Sequence, residues 1–247
     1  MAEGTLELRL ASALLECVDT LLDDFDVARY LRRLADSCAE LAGSRGAGVF
    51  LRRPEGPVLV AQSTEQDACA GRLLRGDWST SPARDSLETG KAVPPVALDS
   101  EEAVARWPAF ASAAHGVAAA CAVPLRRRED VFGVLGITLP ELPRSERGLA
   151  FAQTLADAAA VGLYNQRAYA QYKELSRQLQ GALASRVRIE QAKGILAERW
   201  DSTPDAAFTI LRQYARRNRL PMGQVAHSVI HRTLTDGELR HDKSGPS

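Results

Sequence analysis

Between Pro143 and Pro204 the chain has no proline, and its only glycines there are Gly148, Gly162, Gly181 and Gly194. A stretch this long without helix breakers predicts one helix from about Ser145 to about Arg199. A helical pattern far beyond 25 residues is a coiled coil or a connector between domains, so the chain divides into material before the helix and material after it. Leu175, Ala182, Ile189 and Leu196 recur every seven residues, with Leu179 beside the row. That spacing predicts helix-to-helix contact and a homodimer through residues of about 150–195.

Upstream, Leu6, Leu10, Leu14, Val18, Leu21 and Leu22 give a helix over 5–22. Val27, Tyr30, Leu31, Leu34, Cys38 and Leu41 give a second over 26–42, closed by Gly43 and Gly46. The runs Gly48–Leu51 and Val58–Ala61, parted by Pro54-Glu55-Gly56-Pro57, read as a hairpin. Residues 62 to about 117 read as irregular and polar. Ala118–Leu125 and Val131–Leu139 read as strands around the turn Arg126–Asp130, and a Pro-rich turn at 140–143 leads into the long helix. Downstream, Ser202 or Thr203 offers an N-cap before Pro204 and Asp205. Ala207, Phe208, Leu211, Tyr214 and Ala215 form one apolar face, and Pro221 starts a last helix with Met222, Val225, Ala226 and Val229 inward. These incomplete faces should pack on one another. Residues 235–247 are polar and read as a frayed tail.

Charge is uneven. The formal net charge is zero, yet residues 171–234 carry 11 Lys/Arg against 5 Asp/Glu. A basic C-terminal segment on an acidic body points to a polyanionic partner. No run is long and apolar enough to span a membrane, and the N-terminus lacks a signal-peptide pattern, so a cytoplasmic location is expected. Cys17, Cys38, Cys69 and Cys121 form no C-x-x-C pair and read as reduced thiols. His227 and His231 have the i, i+4 spacing of a two-histidine metal site, but no third ligand is evident and no metal is expected. With no Gly-x-Ser-x-Gly, no phosphate-binding loop and no histidine–carboxylate cluster, no catalytic residue is assigned and enzymatic activity is not expected.

The densest constellation is Ser185-Arg186-Val187-Arg188-Ile189-Glu190-Gln191-Ala192-Lys193-Gly194-Ile195-Leu196. Arg186 and Lys193 stack on one side of the helix, beside Ile189 and Leu196. A mid-helix glycine costs about 1 kcal/mol relative to alanine. Gly194 therefore marks the close approach of another helix or of a ligand. The two readings are a solvated face with a packing glycine, or a site for phosphate contacts. On the next helix Arg212, Arg216 and Arg219 fall on one row. Upstream, Trp78 and Trp107 wall a pocket or anchor a core, with Asp85 and Asp99 nearby.

Segment 179–230 resembles an ANTAR domain, the RNA-binding module of antitermination regulators. The likeness lies in Leu183-Ala184-Ser185-Arg186, Ile189 to Leu196, Ala206-Ala207-Phe208, Leu211-Arg212, Asn218 and Val225-Ala226. It departs at Ala197, where the family has Met, and at Trp200-Asp201, in place of a Tyr-Gly-like turn. The N-terminal part resembles a GAF domain in Ala47–Leu51, Ala92-Val93 to Asp99, Arg106-Trp107-Pro108, Ala122–Leu125 and Val131–Leu135. Ala83, in Ser81-Pro82-Ala83-Arg84-Asp85, stands where the related subgroup has cysteine, which argues against thiol-based sensing at that position.

The resemblance implies an α+β chain: a GAF-like antiparallel sheet flanked by helices (1–165), a coiled-coil-like helical connector (166–182), a three-helix ANTAR bundle (183–234) and a flexible tail (235–247). It implies RNA hairpins with paired short loops as partner, a homodimer, and a small-molecule or protein signal at the GAF-like part. No haem, flavin, metal or other cofactor is expected. The candidate RNA contacts are Arg186, Arg188, Lys193, Gly194, Arg212 and Arg216; the candidate ligand pocket is Trp78, Asp85 and Trp107. The function expected is a signal-responsive regulator that stabilises an antiterminator hairpin. The alternative is a sensor module that binds a ligand or an acidic protein and no nucleic acid. Binding of a two-loop hairpin RNA across a salt series separates the two.

Overall fold

The computed structural model describes residues 2–54, 56–64, 67–145 and 147–240. The chain forms two compact units that part between Tyr169 and Ala170.

The first unit opens with helices α1 (Ala2–Val18) and α2 (Val27–Leu41). Asp26 caps α2, its carboxylate accepting from the Ala28 and Arg29 backbone amides. Strands β1 (Gly46–Arg53) and β2 (Gly56–Gln62) follow as an antiparallel pair. Glu55, in the turn expected between them, lies outside the described residues. Residues 62–117 are more regular than their polar sequence suggests. They form α3 (Ala68–Leu74), α4 (Pro82–Thr89), β3 (Val93–Ala97), α5 (Glu101–Arg106) and α6 (Pro108–Ala113). Then come β4 (Ala119–Arg127) and β5 (Asp130–Leu139), turned by Arg128 in the left-handed region at φ 54°.

The five strands make an antiparallel sheet in the order β2-β1-β5-β4-β3. Alternation along the strands gives the sheet two apolar faces. Val49, Cys121, Val123, Leu135 and Ile137 join α1, α2 and Leu155, Ala156 and Ala159 of α7 (Arg147–Arg199) in one core. Phe50, Ala120, Ala122 and Val134 face α3–α6 in the other. Two glycines permit this packing. A Cβ on Gly136 would lie 2.8 Å from the Trp78 ring, and one on Gly162 would lie 2.1 Å from the Cys17 carbonyl oxygen. At the second contact Thr20 Oγ1 donates to Gly162 O (2.9 Å) and Tyr30 OH donates to Cys17 O (2.7 Å).

The second unit contains the C-terminal part of α7, then α8 (Pro204–Arg217), α9 (Met222–Ile230) and α10 (Asp236–Arg240). Thr203 caps α8 through the Ala206 amide (3.2 Å). Ala192, Leu196, Ala207, Leu211, Ala215, Val225, Ala226, Val229 and Leu239 build its core. Two expectations change here. Leu196 is fully buried inside this unit and Ile189 packs on the same core, so neither remains for a seven-residue seam. Residues 236–240 are helical rather than frayed, because Leu239 is buried and Asp236 pairs with Arg199 at 2.8 Å. Residues 241–247 of the expected tail lie outside the described residues.

Candidate nucleic-acid interface

The candidate contacts sit on α7 and α8 of the second unit. The start of α9 seats against α7, where a Cβ on Gly223 would come 2.5 Å from Ser185 Oγ. Arg186, the next residue, is exposed. Arg188 is half-buried and folds back, its Nε donating to Ala184 O (3.1 Å).

Lys193 is less open than an isolated amphipathic pattern suggests, its side chain being only 16% exposed. Its Nζ lies 3.0 Å from Glu190 Oε2 and 5.4 Å from the centre of the Phe208 ring. Phe208 belongs to α8, and packing of Leu211 and Ala207 against Leu196 brings its ring over the α7 lysine. Phe208 therefore fixes where the Lys193 charge sits. Sequence spacing gave no signal for this role, since Phe208 read as part of an apolar face. Four and eight residues beyond Phe208 stand Arg212 and Arg216, one turn apart on the same row. Both are exposed, and their side chains have no ion pair or hydrogen bond among the described residues. The structure thus places Lys193 at the head of the Phe208–Arg212–Arg216 row.

Gly194 is exposed, and a Cβ built on it would meet nothing within 4 Å. Among the described residues no neighbouring helix requires a glycine there. Several other arginines of the unit are engaged elsewhere: Arg177 with Glu174, Arg199 with Asp236, Arg217 over the Tyr214 ring at 5.5 Å, and Arg240 over the Trp200 ring at 4.2 Å. The Arg199 hydrogen bond holds the Asp236 carboxyl below its usual range, with further lowering from the Arg199 and Arg240 charges.

Of the three sensor-unit candidates, the two tryptophans are buried core side chains. Trp78 is a core residue, 3% exposed, with ring centroids 4.4 Å from Phe50 and 4.7 Å from Phe110. Its indole N–H donates to Leu73 O (2.8 Å). Trp107 is also buried, and its indole N–H donates to Asp85 Oδ2 (2.9 Å). The same carboxylate oxygen receives Arg106 Nε at 2.7 Å, and the Arg106 guanidinium lies 4.9 Å over the Trp107 ring. Asp85 and Trp107 are therefore brought together as a polar tie between α4 and the α5–α6 segment. The physical reason is that buried indole N–H groups need acceptors. Arg106 completes this tie. Ala83, whose methyl group carries no thiol, is buried in the same core.

A five-stranded antiparallel sheet between two helical layers, followed by a long helix and a small helical unit, defines a two-part protein. Residues 26–163 match the GAF domain and residues 177–230 match the ANTAR domain. The chain belongs to the GAF family, and with its C-terminal ANTAR domain it is a GAF–ANTAR protein. This pairing supports a signal-responsive regulator with an RNA-binding output as its general class.

Among solved structures, the chain is similar to the chromophore-binding domain of an unusual bacteriophytochrome from R. palustris. The TM-score is 0.52 at 10% identity, covering 67% of this chain and 62% of that one. It is also similar to the phycocyanobilin-bound GAF domain of a cyanobacterial phytochrome, with TM-score 0.50 at 18% identity over 64% and 94% of the two chains. The chain thus spans less than two thirds of the first of these, and at such identities the likeness concerns the fold. No curated protein matches the chain. No helix among the described residues is long and apolar enough to cross a membrane.

Proposed function

We propose that the protein is a signal-controlled RNA-binding regulator, without enzymatic activity, that holds target transcripts in an antiterminator hairpin. The observation that carries this reading is the row of unpaired cations on α8, Arg212 and Arg216, headed by Lys193 beside the open helix surface at Gly194. Exposed arginines supply phosphate contacts, and a helix stripped of side chain admits the RNA backbone or an unpaired loop base.

A second copy of the chain completes the arrangement. In the second unit Tyr172, Leu175, Leu179, Leu183 and Val187 follow helical spacing, and all five are large and about half or more exposed. Such a row costs free energy in water and is relieved by a partner helix. Paired RNA loops would then be met by paired basic faces.

The test is the affinity of the full chain for a hairpin RNA with two short loops, measured from low to high salt. Binding that weakens steeply with salt supports the reading, because phosphate contacts release counterions. An RNA left unbound at low salt refutes it.

A further inference from the structure

We propose that an open cleft beside strand β3 binds an organic ammonium ion with an apolar body. This deepens the reading of the first unit as a signal receiver and rests on it. The cleft has a volume of about 620 Å³, within the usual range of small-molecule sites. It lies between the end of β3, helices α5–α6 and the segment leading from β5 to α7.

Its walls are mainly apolar, with Leu98, Val104, Val117 and Leu142 among the residues that line it. Val104 and Leu142 are 52% and 53% exposed, so two sizeable hydrocarbon side chains stand wet across the opening. Burying them under a ligand's hydrocarbon body would be favourable by roughly 25 cal/mol per Å² of apolar surface removed from water.

The fixed charge of the lining is negative: Asp99 and Glu141 are its carboxylates, His115 is its one imidazole, and no lysine or arginine lines it. Neither carboxylate has a hydrogen bond or ion pair among the described residues. Asp85, a short way along the chain, is by contrast already committed to Arg106 and Trp107. Glu101 in the first turn of α5 adds to the same negative field, whereas Glu102 is paired with Arg106 at 3.7 Å. An anion would meet uncompensated like charge here, and a cation would meet its complement. A bare metal ion is a poor occupant, since the described residues offer no cluster of three or more metal-ligating side chains. What fits both the hydrocarbon wall and the acidic rim is an alkyl- or aryl-ammonium ion. Glu141 and Leu142 also stand in the segment that leads from β5 to α7, so a ligand held there touches the chain a few residues before the helix that continues into the ANTAR unit.

Calorimetric titration of the full chain with three probes of one shape tests this: phenethylammonium, 2-phenylethanol and phenylacetate. The ammonium should bind saturably and about tenfold tighter than the alcohol, with phenylacetate weakest. The double variant Asp99→Asn/Glu141→Gln should bring the ammonium down to the level of the alcohol. Ser112→Trp, at an exposed lining position, should block both. Equal affinity for ammonium and alcohol in the wild type would overturn the charge argument. If none of the probes binds while hairpin RNA still does, the cleft proposal fails and the regulator stands. Ammonium binding by a chain that ignores RNA would keep the cleft and refute the regulator.

Discussion

Replacing Gly194 by alanine sets helix propensity against access to the helix surface. Gly194 lies inside α7, five residues from its end, and an added Cβ meets nothing within 4 Å. No packing is lost, so the substitution should gain the ordinary helix-interior preference of alanine over glycine, about 0.5–1 kcal/mol. For a unit of this size, about 1 kcal/mol raises the melting temperature by roughly 4–8 °C. Circular dichroism of the full chain should show the C-terminal transition moving up by several degrees. If RNA approaches the bare helix there, the same methyl holds it off. Loss of one close contact at about 1 kcal/mol lowers affinity about fivefold, and Gly194→Leu should lower it further. The two measurements therefore move in opposite directions: stability up, affinity down. A lowered melting temperature for Gly194→Ala would mean that something in the free protein already occupies this surface, returning the glycine to a packing role. A raised melting temperature with unchanged affinity would remove Gly194 from the RNA site.

Four other outcomes are expected. Lys193→Ala should cost about 1 kcal/mol of stability, because it removes an ion pair and a cation–ring contact from a largely covered side chain, and should also lower the salt slope of RNA binding by about 1. Arg212→Ala and Arg216→Ala should each lower that slope by about 1 while leaving thermal unfolding in place, since both side chains are exposed and unpaired; an unchanged slope counts against them as phosphate contacts. Leu179→Glu with Leu183→Glu should turn a sedimenting dimer into a monomer that keeps its circular dichroism, and a wild type that is monomeric with and without RNA removes the need for a partner helix. Burial pushes the Cys17 thiol up to about 11 and the Cys121 thiol up to about 12, and raises Cys38 well above the usual thiol range. All three stay protonated at pH 8, so a thiolate-selective alkylating reagent should label only the partly exposed Cys69 in the folded chain, and rapid labelling of a second cysteine would contradict the core packing.

Much of the architecture was legible where the signal is local. Thr203 announces a helix start because its side-chain oxygen can satisfy one of the first free amides of a helix. The proline-free stretch before Pro204 predicted the long helix, and the apolar runs Ala118–Leu125 and Val131–Leu139 predicted the strands found over Ala119–Arg127 and Asp130–Leu139. The sequence alone also pointed to the order of the two domains and to a basic C-terminal segment. Residues 62–117 resisted reading because their helices span only six to eight residues. Helices so short are not stable by propensity and exist because Leu73, Leu87, Ala103 and Phe110 are held against the sheet. The same reason governs the sites. Periodicity placed Lys193 on a face, but only the docking of α8 put Phe208 over it. A seven-residue spacing linked Leu175 to Leu196, yet packing used Leu196 inside the C-terminal unit and left Leu175, Leu179 and Leu183 outside. Sequence determines which surfaces are apolar or charged; tertiary structure decides which are already occupied, because burial depends on what the rest of the chain brings alongside.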